Sequence, residues 1–151
     1  MHLIGETILV VDDSCDDRFF VGRALGRVAS RLAVQFVDSG DEAVAYLNGR
    51  GVYADRLRFP YPAYVITDLN MPHGDGFSVL RDIQAGPPGR PRVMMLSSSD
   101  NPEHVRRAFE FGASSYCLKP QGADRLVSII STFLFPRLQE AVDEVVRMRV
   151  A

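Results

Sequence analysis

Short unbroken apolar runs alternate along this chain with longer stretches in which apolar residues recur every three or four positions. The runs suit strands buried on both faces, and the spaced stretches suit helices with one apolar stripe. Strands are expected at residues 7–11, 32–37, 64–67, 92–96 and 115–118. Helices are expected at 18–28, with Phe19, Phe20, Ala24 and Leu25 as the apolar face, and at 41–47, with Ala43, Val44 and Leu47. Three more are expected at 77–83, 102–111 and 123–134. Asp38-Ser39-Gly40 makes a turn, and Gly86-Pro87-Pro88-Gly89 stops the third helix. Asn101 caps a helix that has Pro102 at its first position and ends at Gly112. Gly22 and Gly26 weaken the first helix by roughly 1 kcal/mol each relative to alanine, so packing has to hold it.

Regular alternation of strand and helix implies a parallel sheet covered on both faces, with right-handed connections. Two strand orders are open for such a sheet, and the flavodoxin-like order 2-1-3-4-5 suits five strands better. The expectation is an α/β fold, flavodoxin-like and doubly wound. Its ligand site should lie beyond the C-terminal ends of the strands.

Those ends carry the candidate chemistry. The strand at 64–67 runs into Asp68, then Asn70, Met71-Pro72 and Gly74-Asp75-Gly76. The first strand runs into Asp12-Asp13. Strands one and three are neighbours in the expected order, so the three carboxylates share one pocket. Packed carboxylates repel and need protons or a hard cation. Mg²⁺ suits them, because it takes one or two carboxylates and keeps waters and phosphate oxygens. Asp16 and Asp17 fit a plainer role, complementing the N-terminus of the following helix. Strand four ends at Ser97, a hydroxyl able to donate to a phosphoryl oxygen; taken alone it is a turn or cap residue. Strand five ends at Lys119, whose ammonium reaches such oxygens as a point charge.

Composition narrows the function classes. The 151 residues are 46% hydrophobic and 24% charged, an ordinary globular balance, and suffice for one domain with a sizeable core. A net charge of −2 and a pI near 5.9 give no footing for nucleic acid or an anionic membrane. Cys15 and Cys117 have neither metal spacing nor a disulfide framework, which points to free thiols in a reducing, cytoplasmic setting. Residues 1–7 lack the pattern of a signal peptide, and the apolar stretch at 126–135 is too short to span a bilayer.

The set Asp12-Asp13, Asp68 with Met71-Pro72 and Asp75-Gly76, Ser97, Tyr116 and Lys119-Pro120 resembles the receiver domain of two-component response regulators. The resemblance covers about 7–134, so the receiver is expected over 1–134, with a helical extension at 135–151. It implies a signalling module rather than an enzyme. Asp68 would accept a phosphoryl group from a histidine kinase or a histidine phosphotransfer protein. Asp12, Asp13 and Asp68, with the backbone carbonyl of Asn70, would hold Mg²⁺. Lys119 would contact the phosphoryl group, while Ser97 and Tyr116 would move together as a switch. Asn70 and Ser99 stand where the family adjusts the lifetime of the aspartyl phosphate. Gly74 replaces a residue that is commonly apolar, so a looser loop is expected there, with His73 exposed beside it. The long connection at 48–63 resembles one in stand-alone regulators that partner bacterial phytochrome kinases; its plainer reading is a surface loop with Tyr53, Phe59 and Tyr61 packed down. A haloacid-dehalogenase-like phosphohydrolase is the alternative, because it too uses an aspartate nucleophile with Mg²⁺. That family prefers a second aspartate where Asn70 stands.

The tail holds a final apolar stripe: Leu134, Phe135, Leu138, Ala141, Val142, Val145 and Val146, interspersed with charges. The α/β units are complete before it, and it is too short for a DNA-binding output domain. An apolar stripe left in water is avoided by soluble monomers. A homodimer with 133–146 in the interface is therefore expected.

Overall fold

The computed structural model describes residues 5–150, without the side chains of 138–140, 142 and 150. Leu138 and Val142 of the tail stripe thus have side chains outside the described residues. The strands are β1 (Thr7–Val11), β2 (Ala33–Val37), β3 (Tyr64–Thr67), β4 (Arg92–Ser97) and β5 (Ser115–Leu118). They form one parallel sheet in the order β2-β1-β3-β4-β5. The helices are α1 (Cys15–Val28), α2 (Gly40–Leu47), α3 (Gly76–Ala85), α4 (Pro102–Glu110), α5 (Ala123–Leu134) and α6 (Pro136–Val150).

Successive strand residues point to opposite faces, so each central strand feeds two cores. Leu9, Val11, Val65, Val93 and Met95 pack with Ala43, Tyr46, Leu80 and Ile83 of α2 and α3. Ile8, Val10, Ile66, Met94 and Leu96 pack on the other face with Val21, Leu25, Leu126 and Ile130 of α1 and α5. Burial on both faces explains why these strands read as unbroken apolar runs.

Several expectations change. Helix α1 starts at Cys15, because the Ser14 hydroxyl accepts the Asp17 amide and caps it. Its buried face is Val21, Ala24 and Leu25, while Phe19 and Phe20 are 59% and 52% exposed. Val21, Ala24, Leu25 and Val28 keep the i, i+3, i+4, i+7 spacing that one face requires, and Phe19 and Phe20 lie off it. In α2, Tyr46 rather than Val44 joins Ala43 as fully buried, and its hydroxyl donates to the Pro60 carbonyl at 2.8 Å. Burial pushes the Tyr46 hydroxyl up to about 12. Phe133 and Leu134 belong to the domain's own core, so the stripe available to a partner starts beyond them.

The 48–63 connection is packed down. It contains a single 3-10 turn, Gly51–Ala54. The rings of Tyr53 and Phe59 lie 5.1 and 6.0 Å from that of Tyr46. The Arg56 guanidinium donates to the carbonyls of Tyr46 (2.8 Å), Leu47 (2.8 Å) and Phe59 (3.0 Å). Two of these are last-turn carbonyls of α2; that of Tyr46 also accepts the Gly49 amide at 3.1 Å, and a cation suits that end of the helix dipole.

Candidate functional site

Parallel pairing of β1 with β3 sets Val11 opposite Thr67, so the residues that follow each strand lie side by side. Asp12 and Asp68 are 4% and 7% exposed. Asp13 is exposed, and one carboxylate oxygen from each of Asp12, Asp13 and Asp68 lies within 4.8 Å of the others. Lys119 reaches across from the end of β5. Its Nζ lies 2.9 Å from Asp12 Oδ2, 3.0 Å from Asp68 Oδ2 and 2.7 Å from Asp17 Oδ2. Asp17 was expected only to complement a helix end; it does stand in the first turn of α1, and its carboxylate also bonds Lys119.

Backbone donors fix the two buried carboxylates. Asp68 Oδ1 accepts the Leu69 amide at 2.7 Å, and Asp12 Oδ1 accepts the Ser14 amide at 2.9 Å. Arg18 donates to the Asp12 carbonyl at 2.6 Å. Burial raises the Asp12 carboxyl above its ordinary pKa, against the opposing hydrogen bonds from Lys119 and Ser14. Burial works to lower the Lys119 ammonium, but its bonds to Asp17, Asp12 and Asp68 prevail and the net shift is upward.

The loop after Asp68 is held, not loose. Gly74 takes φ +88, and its carbonyl accepts the Gly40 amide at 3.0 Å. The Asp41 amide donates to the His73 carbonyl at 3.0 Å. The first two amides of α2, which no carbonyl of that helix can reach, are thus closed by the loop after Asp68. A Cβ on Gly74 would stand 2.7 Å from Asp41 Oδ1 and 2.8 Å from Asp41 N. Asn70 is exposed at the head of this loop. At its foot Asp75 caps α3, accepting the Ser78 amide at 2.9 Å.

Ser97 and Tyr116 meet each other through Ser99. Ser97 is fully buried, and its hydroxyl accepts the Ser99 amide at 3.2 Å. The Tyr116 hydroxyl donates to the Ser99 carbonyl at 2.7 Å. The Ser99 hydroxyl lies 2.7 Å from His104 Nδ1 on α4. Sequence reasoning missed Asp17 and His104; the first looked like a helix-end acid, and nothing in the pattern singled out the second.

The donor set fits a hard divalent cation: three anionic oxygens converge, and one ammonium offsets only part of their charge. The arrangement can also place a nucleophilic carboxylate, Asp68, beside fixed positive charge, which is what phosphoryl transfer asks of a protein.

The chain is similar to several known proteins. The two-component response regulator ORR3 of Oryza sativa is 33% identical over 115 residues, covering 75% of this chain and 79% of that protein. Among solved structures, response regulator RPA3017, in red light signaling of R. palustris, superposes with a TM-score of 0.77 at 32% identity, covering 86% of this chain and 92% of that one. The phosphorylated cyanobacterial phytochrome response regulator RcpA gives 0.77 at 29% identity, covering 86% and 91%. The Mn²⁺-bound form of response regulator Rcp1 gives 0.75 at 27%, covering 86% and 92%. The phosphohydrolase alternative falls with these matches. A family model for the response regulator receiver domain matches residues 8–131, from β1 into α5, and the chain belongs to that family.

Proposed function

We propose that the protein is a single-domain response regulator, with a receiver over 1–134 and a helical extension at 135–151, that takes a phosphoryl group on Asp68. The observation that carries this reading is the buried Asp68 carboxylate, ringed by Asp12 and Asp13 and bonded to Lys119 at 3.0 Å. The donor is a phosphohistidine on a sensor histidine kinase or a phosphotransfer protein. An Asp68 oxygen attacks phosphorus and forms the acyl phosphate, while the P–N bond breaks and the leaving imidazole keeps the bonding pair and takes up a proton. Lys119 turns an N–H toward the transferred oxygens. Asp12, Asp13 and Asp68, with the Asn70 carbonyl, would hold Mg²⁺, which would supply positive charge to the phosphoryl oxygens. Ser97 gives up the Ser99 amide to bond the phosphoryl group, and Ser99 passes the change to Tyr116.

Likeness to regulators from red-light and phytochrome signalling favours a phytochrome kinase as the partner. A groove of about 300 Å³ beside Lys119, lined by Phe20, Val21, Ala24, Leu126 and Val127, suits the rim of a docked donor. Exposed Val145, Val146 and Met148 on α6 support a homodimer through the extension. Among the described residues no helix is long and apolar enough to cross a membrane.

The test is incubation with acetyl phosphate and Mg²⁺, read by intact mass and peptide mapping. One phosphoryl group on the peptide holding Asp68, absent in Asp68→Asn, is the expected result. Uptake by Asp68→Asn at the wild-type level would refute the assignment.

A further inference from the structure

The Lys119 ammonium has three N–H donors and three carboxylate partners, Asp12, Asp17 and Asp68. The partners are not equivalent. Asp12 and Asp68 belong to the carboxylate cluster suited to a cation, and Asp17 does not. At Asp12 and at Asp68, Oδ1 already accepts a backbone amide and Oδ2 is the oxygen that meets Lys119. A cation drawing on these carboxylates therefore competes with Lys119 for the same oxygens. A phosphoryl group on Asp68 removes a further part of that carboxylate's charge. Asp17 makes the shortest of the three contacts, 2.7 Å, and shares its charge with no other proposed ligand. It is also held in place, since its amide is bonded to the Ser14 hydroxyl in the first turn of α1.

We infer that Asp17 is a positioning residue for phosphoryl transfer, anchoring the Lys119 ammonium beside Asp68 when the other carboxylates engage a cation. The inference rests on the receiver reading above. It separates two acids that look alike in sequence. Asp16 is exposed, with Cys15 Sγ 3.9 Å from its Oδ1, and serves only the helix end; Asp17 crosses to β5.

The test compares the full-length wild type with Asp17→Asn, Asp16→Asn, Lys119→Met and the Asp17→Asn/Lys119→Met double variant. Acetyl phosphate with Mg²⁺ is the phosphodonor, mass spectrometry reads the uptake rate, and calorimetry reads Mg²⁺ affinity separately. Removing an oriented donor outright costs about 10²–10³ in rate, and one kept but loosened should cost about tenfold. Asp17→Asn is expected to slow uptake by about tenfold. Its Mg²⁺ affinity should stay within about threefold, the size of a long-range charge effect in water. Asp16→Asn should match the wild type in both. In the Lys119→Met background Asp17→Asn should add nothing, because the residue acts through that ammonium. An Asp17→Asn rate at or above that of the wild type, or the same drop in both backgrounds, overturns the inference alone. A wild type that takes up no phosphoryl group overturns the receiver reading and this inference with it.

Discussion

Gly74→Ala tests whether the acceptor loop is braced against α2. Both Gly74 and Gly89 have positive φ, +88 and +80. A Cβ on Gly89 meets nothing within 4 Å, whereas one on Gly74 stands 2.7 and 2.8 Å from Asp41 atoms. Gly89→Ala therefore isolates the backbone cost. That cost is about 1–2 kcal/mol for a left-handed L-residue, offset by about 0.4–1 kcal/mol from a less flexible unfolded chain. Gly89→Ala should lose about 1 kcal/mol. Gly74→Ala carries the same cost and also forces the loop from α2, breaking the bonds from Gly40 to Gly74 and from Asp41 to His73. At about 1 kcal/mol for each bond, the total loss is about 3 kcal/mol. For a chain of this length that lowers Tm by about 6–12 °C, against about 2–4 °C for Gly89→Ala. Urea denaturation and thermal melting followed by circular dichroism measure both. Gly74→Ala should also slow phosphoryl uptake from acetyl phosphate, and Gly89→Ala should not. Equal destabilisation by the two substitutions would refute the brace.

Mg²⁺ at a hundredfold over its Kd should stabilise the protein by about 2.7 kcal/mol, raising Tm by about 5–10 °C. Asp13→Ala should lose most of that rise; an unchanged rise would show that the cation binds elsewhere. Because burial raises the Asp12 carboxyl in the fold, ionising it costs more there than in the unfolded chain, so its contribution to stability falls as pH rises above about 4. In a chelator, Asp12→Asn should melt higher than wild type at pH 7 and more level with it near pH 4, since Asp17 and Asp68 keep Lys119 paired; a lower Tm at pH 7 would contradict the sign. Val145→Glu/Val146→Glu should convert a dimer to a monomer by light scattering at tens of micromolar (a working range); no change in mass would remove α6 from the interface.

The convergence at the candidate site's centre was legible because topology does the gathering. Asp12 and Asp13 follow β1, Asp68 follows β3 and Lys119 follows β5, and a parallel order of 2-1-3-4-5 brings those strand ends to one edge whatever the side chains do. Asp17 was not legible, because an acid in a helix's first turn reads as a partner of the helix dipole. Nothing local shows that it meets a lysine 102 positions away. Half of the α1 face, Ala24 and Leu25, was read correctly; Phe19 and Phe20 were misread for a related reason, being the largest apolar residues in the segment, because periodicity fixes a face only when its phase is known. Val21, Ala24 and Leu25 set that phase, being the residues that meet the sheet. Tyr46 was passed over in favour of Val44 because its hydroxyl argues for the surface until the Pro60 carbonyl is found opposite it. Gly74 looked like looseness because a glycine's freedom is visible in sequence, while the amides that hold its carbonyl belong to another helix.

These last two errors share a cause, and it concerns α2. Neither end of this helix is closed by its own residues alone. At the N-terminus two amides bond to the carbonyls of His73 and Gly74, while Ser39 takes the amide of Glu42. At the C-terminus Arg56 takes the carbonyls of Tyr46 and Leu47. A helix of 8 residues is too short to be stable alone, so its ends have to be completed from outside. The two completing pieces are the loop that follows Asp68 and the 48–63 connection. The Tyr53 hydroxyl adds a bond to Glu42 in the first turn, so the connection grips the helix at both ends. The connection is therefore part of the frame that holds the acceptor loop, at one remove through α2. A lesion at Arg56 acts on that loop only through the helix, whereas one at Gly74 acts on it directly.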